Sequence, residues 1–183
     1  MTHIVTTPEI LFPRHPIDKL GIKTEIIDHK ELTGLYKGGF FADADVLLFY
    51  GWSWIVPAEI VNNKVCVCCH PSPLPKYRGG TPLQHQIMNG EKETEATLFK
   101  MSEGIDNGPI YLQKPFSLEG HLPEILKRFG ETALQATEEM LDKLAEGSLR
   151  PVPQDESQAT VFRRRKKEDS ELTEGKLNAM TSL

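Results

Sequence analysis

The chain has 183 residues, of which 39% are hydrophobic and 26% are charged, and this composition indicates one folded domain with a core. Its formal net charge of -5 argues against a protein whose main partner is a nucleic-acid backbone, because that partner requires clustered positive charge. No apolar run approaches the roughly 18 residues that span a bilayer, and no secretory signal opens the chain. We therefore expect a cytoplasmic protein without a membrane segment.

Strand-like segments dominate the first part of the chain. His3–Thr7 and Lys23–Asp28 are β-rich and predict two short strands with an irregular link. Asp45–Tyr50 and Val65–Cys69 are nearly continuous apolar runs, which is the pattern of strands covered on both faces of a parallel sheet. Between them Pro57–Asn62 predicts a short helix, so this region reads as strand, helix and strand.

A second helix is predicted after a proline-rich loop. Thr81 is suited to cap this helix, Pro82 to occupy its first position and Gly90 to terminate it. Its apolar face would consist of Leu83, Ile87 and Met88.

A strand pair and a long helix are predicted next. Glu95–Met101 and Ile110–Phe116 are strand-like and flank the turn-rich sequence EGIDNGP, which places Asp106 in a loop. Glu124–Glu146 predicts a helix that ends before Gly147. The apolar stripe of this helix is expected in the core and comprises Leu126, Phe129, Ala133, Thr137, Met140, Leu141 and Leu144.

The segment after Gly147 shows no regular pattern. Arg163–Lys167 is a run of five positive charges, and the acidic residues Glu168, Asp169 and Glu171 follow it. Such a run is typical of a solvated surface, so we expect a solvated tail here.

Polar side chains with catalytic chemistry stand at the end of the second apolar strand. Alternation along the strand places Cys68 and His70 on one face and Cys69 on the other. Ligands of open α/β sheets collect at the carboxyl ends of strands, which makes His70 a candidate acid and base. A carboxylate such as Asp106 would orient its imidazole. The alternatives are a histidine satisfied by backbone groups and an aspartate that only shapes a turn.

The three cysteines allow other interpretations. Cys66, Cys68 and Cys69 are too crowded on one strand to bridge one another easily, so a disulfide is not expected. A zinc site would need a second ligand pair, and His85 and His121 stand alone, so we predict no metal. A thiol nucleophile stays open, although a base two positions away lies roughly 6 to 7 Å distant along a strand.

Two motifs resemble a known family. HPSPLPKYRGGTPLQ, from His70 to Gln84, and EGIDNGPI, from Glu103 to Ile110, are similar to the catalytic domain shared by methionyl-tRNA formyltransferase and sugar N-formyltransferases. The resemblance continues into FYGWSWIVP upstream and VFRRRKKEDSEL downstream, and so covers roughly residues 23–172. It implies an α/β, Rossmann-like fold with a mostly parallel sheet and flanking helices. It also implies formyl transfer from 10-formyltetrahydrofolate, as cosubstrate, to a primary amine of a small acceptor.

The resemblance also assigns residues to the site. His70 would be the acid/base and oxyanion donor with Asp106 as its partner, and Cys68 occupies the position of the family's catalytic Asn. The folate contacts would be Gly51, Trp52, Trp54, Ile55, Val56, Ser72, Leu74, Pro75, Gly104, Ile105 and Asp106. The acceptor contacts would be Lys76, Tyr77, Arg78, Gly79, Gly80 and Gln84.

Three departures from the family pattern qualify this expectation. A thiol at Cys68 is a weak donor, and loss of one oxyanion donor costs roughly a hundredfold to a thousandfold in rate. The part before the Tyr-Gly strand is short for the family, which predicts a sheet shortened at the N-terminus. The C-terminal side has no room for the family's tRNA-binding barrel, so tRNA is not expected as a partner and a nucleotide-linked amino sugar is favoured.

The sequence leaves several alternatives open. We expect residues 1–172 to form the catalytic domain and 173–183 a tail, and a homodimer is compatible with the sequence. One rival function is hydrolysis of 10-formyltetrahydrofolate, in which water replaces the amine. Another is a folate-binding protein that has lost catalysis because the family's Asn is Cys68.

Overall fold

The computed structural model describes residues 2–6 and 23–170. The strands are β1 (Thr2–Thr6), β2 (Lys23–Ile26), β3 (Val46–Phe49), β4 (Val65–His70), β5 (Arg78–Gly79), β6 (Glu93–Lys100), β7 (Ile110–Ser117) and β8 (Val161–Phe162). The α-helices are α1 (Leu32–Lys37), α2 (Ala58–Val61), α3 (Pro82–Met88) and α4 (Leu122–Ala145). Short 3-10 turns cover Glu156–Gln158 and Lys167–Ser170.

One sheet of six strands organises the molecule, in the order β2-β1-β3-β4-β6-β7. The strands from β2 to β4 are parallel, whereas β6 and β7 join as an antiparallel pair. A second, small sheet pairs β5 with β8. The predicted α/β, Rossmann-like architecture with a mostly parallel sheet is therefore confirmed, and so is the predicted strand pair. The predicted shortening of the sheet stays a prediction.

Strand β4 lies between β3 and β6 and separates two apolar clusters. Cys66 and Cys68 belong to the cluster that contains Phe49 and Phe99, whereas Cys69 belongs to the other, which contains Tyr50 and α4. Because successive side chains of a strand point to opposite faces, this division is what the VCVCC run predicts. The strand continues one residue beyond the predicted end and includes His70.

Helix α4 covers the face of the sheet that Cys69 lines. The predicted helix is confirmed, and Phe129, Ala133, Thr137 and Met140 are buried as expected. Leu144 was placed in the core wrongly, since 42% of it is exposed. The buried stripe begins one position earlier than predicted and consists of Ile125, Phe129, Gly130, Ala133, Ala136, Thr137 and Met140.

Helix α3 differs from its prediction in two ways. Thr81 precedes the helix in a left-handed conformation, with φ of 52°, and makes no side-chain cap. Its hydroxyl instead accepts a hydrogen bond from the Arg165 backbone at 3.2 Å. The apolar-face prediction was wrong for Ile87 and Met88, which are exposed, because the helix turns Leu83 and Gln86 inward.

The predicted solvated tail is docked in the structure. β8 pairs with β5, and the backbone of Arg165 bonds to Thr81, so this segment crosses the loops after β4. The charged side chains remain mostly exposed, and Arg163 pairs with Asp169 at 2.6 Å. The charge pattern predicted the solvated side chains correctly, but it gave no indication that β8 pairs with β5.

Two of the sequence predictions fall outside the described residues. The irregular link after β1 lies within residues 7–22, and the tail at 173–183 follows the last described residue. The division at residue 172 stays a prediction for the same reason. Within the described ranges, no helix combines the length and apolarity needed to cross a membrane.

Candidate active site

The loop after β4 is held by hydrogen bonds from one of its own side chains and from side chains of β6 and α3. The Ser72 hydroxyl donates to the carbonyl of Lys76 at 2.9 Å, and the Thr97 hydroxyl donates to the Ser72 carbonyl at 2.6 Å. The Gln86 amide, from α3, donates to the Pro71 carbonyl at 2.8 Å. These bonds satisfy carbonyls that the non-helical, proline-rich sequence cannot pair in a ladder. The loop therefore has a fixed course over the carboxyl end of β4.

His70 and Asp106 come together at this edge of the sheet. Nδ1 of His70 lies 3.6 Å from Oδ2 of Asp106, and Nε2 lies 2.9 Å from the carbonyl oxygen of Tyr77. His70 is buried, with 7% of its surface exposed. Both ring nitrogens thus face acceptors, Nε2 at hydrogen-bond distance and Nδ1 at the distance of an ion pair. This pair can hold and deliver a proton at the strand end.

The Asp106 carboxylate is placed by a backbone amide. Gly79 N–H donates to Oδ2 of Asp106 at 2.8 Å, the same oxygen that faces His70. Gly79 has φ of +94°, and a Cβ there would collide with the carbonyl oxygen of Phe162 in β8. The glycine is therefore required both by its conformation and by the close approach of β8.

Backbone strain gathers around the same point. Among the described residues, the non-glycine positions with positive φ are Tyr77 at 60°, Thr81 at 52° and Asp106 at 48°. Such conformations cost of order 1–3 kcal/mol each and persist only where the surroundings fix them. Tyr77 and Asp106 both contact His70, and strained residues of this kind are common at sites whose geometry matters to their chemistry.

Cys68 occupies an apolar position beneath the histidine. It lies opposite Phe49 on one side and Phe99 on the other, and is 6% exposed. Burial, assisted by the nearby Asp106 carboxylate, raises the pKa of the Cys68 thiol well above its usual range. A buried neutral thiol is a poor nucleophile, so the structure disfavours the thiol-nucleophile interpretation. Burial likewise raises the pKa of Cys66 to about 12.

The predicted folate segment at residues 51–56 carries an aromatic edge. Trp52 and Trp54 meet edge to face with ring centroids 5.8 Å apart, and Trp54 stacks on His29 at 4.2 Å. Both tryptophans are partly exposed, Val56 is buried, and Ile55 is 76% exposed. The indole N–H of Trp52 is buried without a hydrogen-bond partner. A ligand acceptor at this place would satisfy it.

The remaining predicted contacts differ in accessibility. Lys76 and the Gly104–Ile105 pair are exposed, while Pro75, Gly80 and Gln84 are partly buried. Ser72 and Leu74 are buried within the loop. Their assignment to folate or acceptor stays a prediction, as does that of Gly51 and Gly79.

Tyr77 and Arg78, predicted as acceptor contacts, have structural partners. Both are buried, and the Tyr77 hydroxyl donates to Glu91 at 2.8 Å. The Arg78 guanidinium forms a two-bond pair with the Glu156 carboxylate at 2.7 and 2.9 Å. Their polar ends are thus occupied by the protein itself. A role toward an acceptor stays a prediction for both residues.

Three residues at the site were missed by sequence reasoning. Gln86 and Gln154 bond to loop carbonyls, and His29 stacks on Trp54. No periodicity marks such residues, because each acts through one contact between distant segments. The part of the chain that the structure describes also contains no group of three or more His, Cys, Asp or Glu side chains suited to a metal ion.

Comparisons with known proteins agree with this fold and with the motifs that build the site. Residues 30–122 match the family described as Formyl transferase. Methionyl-tRNA formyltransferase from Synechococcus sp. (strain JA-3-3Ab) is 37% identical over 133 residues, covering 70% of this chain and 41% of that protein. This chain thus spans less than half the length of that curated relative.

The match to solved structures covers a larger share of both chains. A methionyl-tRNA formyltransferase from Clostridium thermocellum superimposes with a TM-score of 0.80 and 31% identity, covering 99% of this chain and 80% of that one. The formyltransferase PseJ from Anoxybacillus kamchatkensis, solved with a UDP-linked formamido sugar and tetrahydrofolate, shares the fold with a TM-score of 0.70 and 19% identity, covering 96% of this chain and 93% of that one. On the matched residues 30–122 and the Clostridium structure, this chain belongs to the formyl transferase family.

Proposed function

We propose that this chain transfers a formyl group from 10-formyltetrahydrofolate to a primary amine of a small acceptor. The observation that carries the proposal is the juxtaposition of His70 and Asp106, 3.6 Å apart at the carboxyl end of β4, in a member of the formyl transferase family. Parallel α/β sheets bind their ligands at this edge. The partly exposed tryptophans of residues 51–56 follow β3, the strand that pairs with β4.

The chemistry assigns a step to each of the two residues. The amine nitrogen attacks the formyl carbon, the carbonyl oxygen becomes an oxyanion, and the bond from that carbon to N10 of the folate then breaks. A ring N–H of His70 would stabilise the oxyanion, and Asp106 would hold the ring in place. The proton lost by the amine would pass through the pair to N10. The N-formylated acceptor and tetrahydrofolate are the products, so atoms and charge balance.

His70 must release one of its partners to perform this step. We propose that the Tyr77 carbonyl is the partner released, because the Ser72 hydroxyl also donates to it, at 3.4 Å, and would leave it with a donor. Asp106 would then keep its contact with Nδ1 while Nε2 turns to the substrate. Hydrogen bonds of this kind commonly rearrange when a substrate enters a site.

The folate site is proposed along the aromatic edge. The unpaired indole N–H of Trp52 and the exposed side chain of Ile55 supply a donor and an apolar contact for a pteridine ring. Quenching of tryptophan fluorescence by tetrahydrofolate is the expected result. Absence of calorimetric binding at millimolar folate would contradict the assignment of residues 51–56.

As the acceptor we favour a nucleotide-linked amino sugar. PseJ, which shares the fold, was solved with such a sugar derivative, and this supports the choice. Similar curated proteins include methionyl-tRNA formyltransferases, so the comparisons do not support the expectation that tRNA is excluded. Charged methionyl-tRNA therefore belongs in the acceptor panel. The cytoplasmic location and the homodimer stay predictions.

One assay separates the proposal from its rivals. The protein is incubated with 10-formyltetrahydrofolate and with amines that include nucleotide-linked amino sugars and methionyl-tRNA, and products are read by mass spectrometry. A product heavier by roughly 28 Da, with release of tetrahydrofolate, is the expected result. Release of formate without an acceptor would show hydrolysis instead. Folate binding with neither product would show a binding protein without catalysis.

A further inference from the structure

Gln154 links the two loops that frame His70. It lies after α4, 48 residues beyond Asp106 in sequence, and its amide nitrogen donates to the carbonyl of Asp106 at 2.8 Å and to that of Gly108 at 2.7 Å. Its amide oxygen accepts from Arg78 Nε at 3.1 Å and Nη2 at 2.8 Å. The half-buried side chain of Gln154 therefore bonds to Arg78 through its amide oxygen and to the Asp106 loop through its amide nitrogen.

The orientation of this amide follows from its neighbours. The Arg78 guanidinium carries donors only, so the group that faces it must be the amide oxygen. The two loop carbonyls are acceptors only, so they require the NH₂ group. A reversed amide would leave both sides unsatisfied. The network therefore fixes Gln154, and Glu156 holds the far side of Arg78 at 2.7 Å.

The loop to which Gln154 bonds contains the strained residue Asp106. Asp106 has φ of 48°, and its carboxylate accepts from Gly79 N–H while facing His70. The Gly79 amide fixes the side chain, and the bond from Gln154 fixes the carbonyl of the same residue. Asp106 therefore cannot leave its left-handed conformation and move away from the imidazole without breaking the bond from Gly79 or the bond from Gln154.

We propose that Gln154 is a positioning residue that holds Asp106 against His70. The inference rests on the proposed function, because the alignment of Asp106 matters for catalysis only where His70 takes part in transfer. Gln154 itself contacts neither the imidazole nor residues 51–56, and among the predicted folate contacts it bonds to the backbone carbonyl of Asp106. Its effect is therefore expected mainly on turnover and on the state of the His70 ring, with at most a small change in folate affinity.

The test compares Gln154→Met with Gln158→Met. Both remove an amide from the segment after α4, but Gln158 is exposed and its side-chain amide donates to the neighbouring Ser157 hydroxyl, at 3.5 Å. The first readout is the ¹⁵N spectrum of the His70 ring nitrogens at fixed pH. In Gln154→Met these signals should move toward their positions in Asp106→Asn, and in Gln158→Met they should stay. Coincidence of the Gln154→Met and unaltered spectra, while Asp106→Asn differs, would overturn the inference.

The second readout is kinetic. With an acceptor identified by the panel, Gln154→Met should lower kcat by roughly tenfold or more, because misplacement of a catalytic group by about 1 Å costs up to a hundredfold. The KM for the folate should stay within threefold. A kcat within twofold of the unaltered enzyme would overturn the inference.

A second variant covers a failure of Gln154→Met to fold. Gln154→Asn keeps the amide but is one methylene too short to span from Arg78 to the Asp106 loop, so it should shift the same ring signals by a smaller amount. Unshifted signals in folded Gln154→Asn would also overturn the inference. If the unaltered protein transfers nothing to any acceptor, the proposed function fails, and the spectra still decide the positioning role.

Discussion

Two regions next to β4 are held together by different means, namely the face of the sheet that α4 covers and the loops at the carboxyl end of the strand. On one face α4 packs on the sheet through a periodic apolar stripe, with the Tyr50 hydroxyl bonded to Thr137 inside it. At the carboxyl end of the same strand, single polar bonds join loops distant in sequence, and the strained residues Tyr77, Thr81 and Asp106 gather there. The first region can lose one contact and keep its shape, whereas the second depends on each bond. The difference separates the region that carries the stability from the region to which we assign the proposed chemistry.

The sharpest test of the stable region is Phe129→Ala. Phe129 is 5% exposed and lies 5.6 Å, centroid to centroid, from Phe116. The free energy of unfolding should fall by about 3–5 kcal/mol, as for other buried aromatic residues. The rate of transfer per folded molecule should be unchanged, since the helix does not reach His70. Chemical denaturation and an activity assay on the folded fraction measure the two quantities.

Leu144→Ala on the same helix is the matched control for Phe129→Ala. Leu144 is 42% exposed, so its truncation should change the free energy of unfolding by less than about 0.5 kcal/mol. Equal losses in the two variants would show that α4 is not anchored by the stripe that faces the sheet.

The reverse pattern is expected for His70→Asn. Transfer should fall by roughly a hundredfold or more, because acid–base catalysis is worth at least that much. The free energy of unfolding should change by less than about 2 kcal/mol, since one hydrogen-bonded residue is replaced by another. Steady-state kinetics and denaturant unfolding check both values. More than about a tenth of the activity remaining would remove His70 from the mechanism.

His121→Asn supplies the control for the chemical change at His70. His121 is exposed at the start of α4, where Asn is a favoured capping residue, so neither activity nor stability should fall. Asp106→Asn should resemble His70→Asn, and the double variant should be no worse than either single one, because the pair acts as a unit.

Cys68→Asn is expected to raise the rate of transfer, by a smaller factor than the loss expected for His70→Asn. If transfer proceeds with one oxyanion donor missing, an amide at this position should raise the rate by roughly tenfold, although the apolar surroundings of Phe49 and Phe99 lower the stability of the variant. Cys68→Ser should keep the original rate. Loss of activity in both variants with intact folate binding, together with a trapped adduct of roughly 28 Da, would point to a thiol that carries the formyl group.

The smallest effect concerns an ion pair that joins α4 to β7. Glu139 contacts Lys114 at 2.6 Å and Lys143 at 2.7 Å, and these contacts lower its pKa from 4.5 to about 2. A depressed carboxyl pKa contributes stability that is present above the unfolded value and is lost as the pH falls toward about 2. Glu139→Gln should therefore be slightly less stable at neutral pH, and the difference should vanish between pH 4.5 and about 2. Thermal unfolding across this range measures it.

The same division explains what the sequence could foretell. The strands β3 and β4 follow from nearly continuous apolar runs, and the long α4 follows from an apolar stripe at helical spacing. The motif around His70 and Asp106 indicated the family, and the structure places the two side chains together. Gln154 and the docking of β8 could not be foreseen, because one polar bond between distant segments leaves no period in a sequence. The short α1 was missed because its six residues bury little apolar surface.

The pairing of β5 with β8 also bears on the order in which the protein is made. Gly80 N–H donates to the carbonyl of Phe162 at 2.9 Å, and Arg78 N–H donates to that of Thr160 at 2.8 Å, across more than eighty positions of chain. During synthesis the sheet and α4 can assemble before residues 154–162 have left the ribosome, because none of their apolar contacts requires that segment. The scaffold is then complete while the Asp106 loop still lacks its brace. Competence for the proposed transfer is therefore expected only after residues 154–162 have docked on these loops.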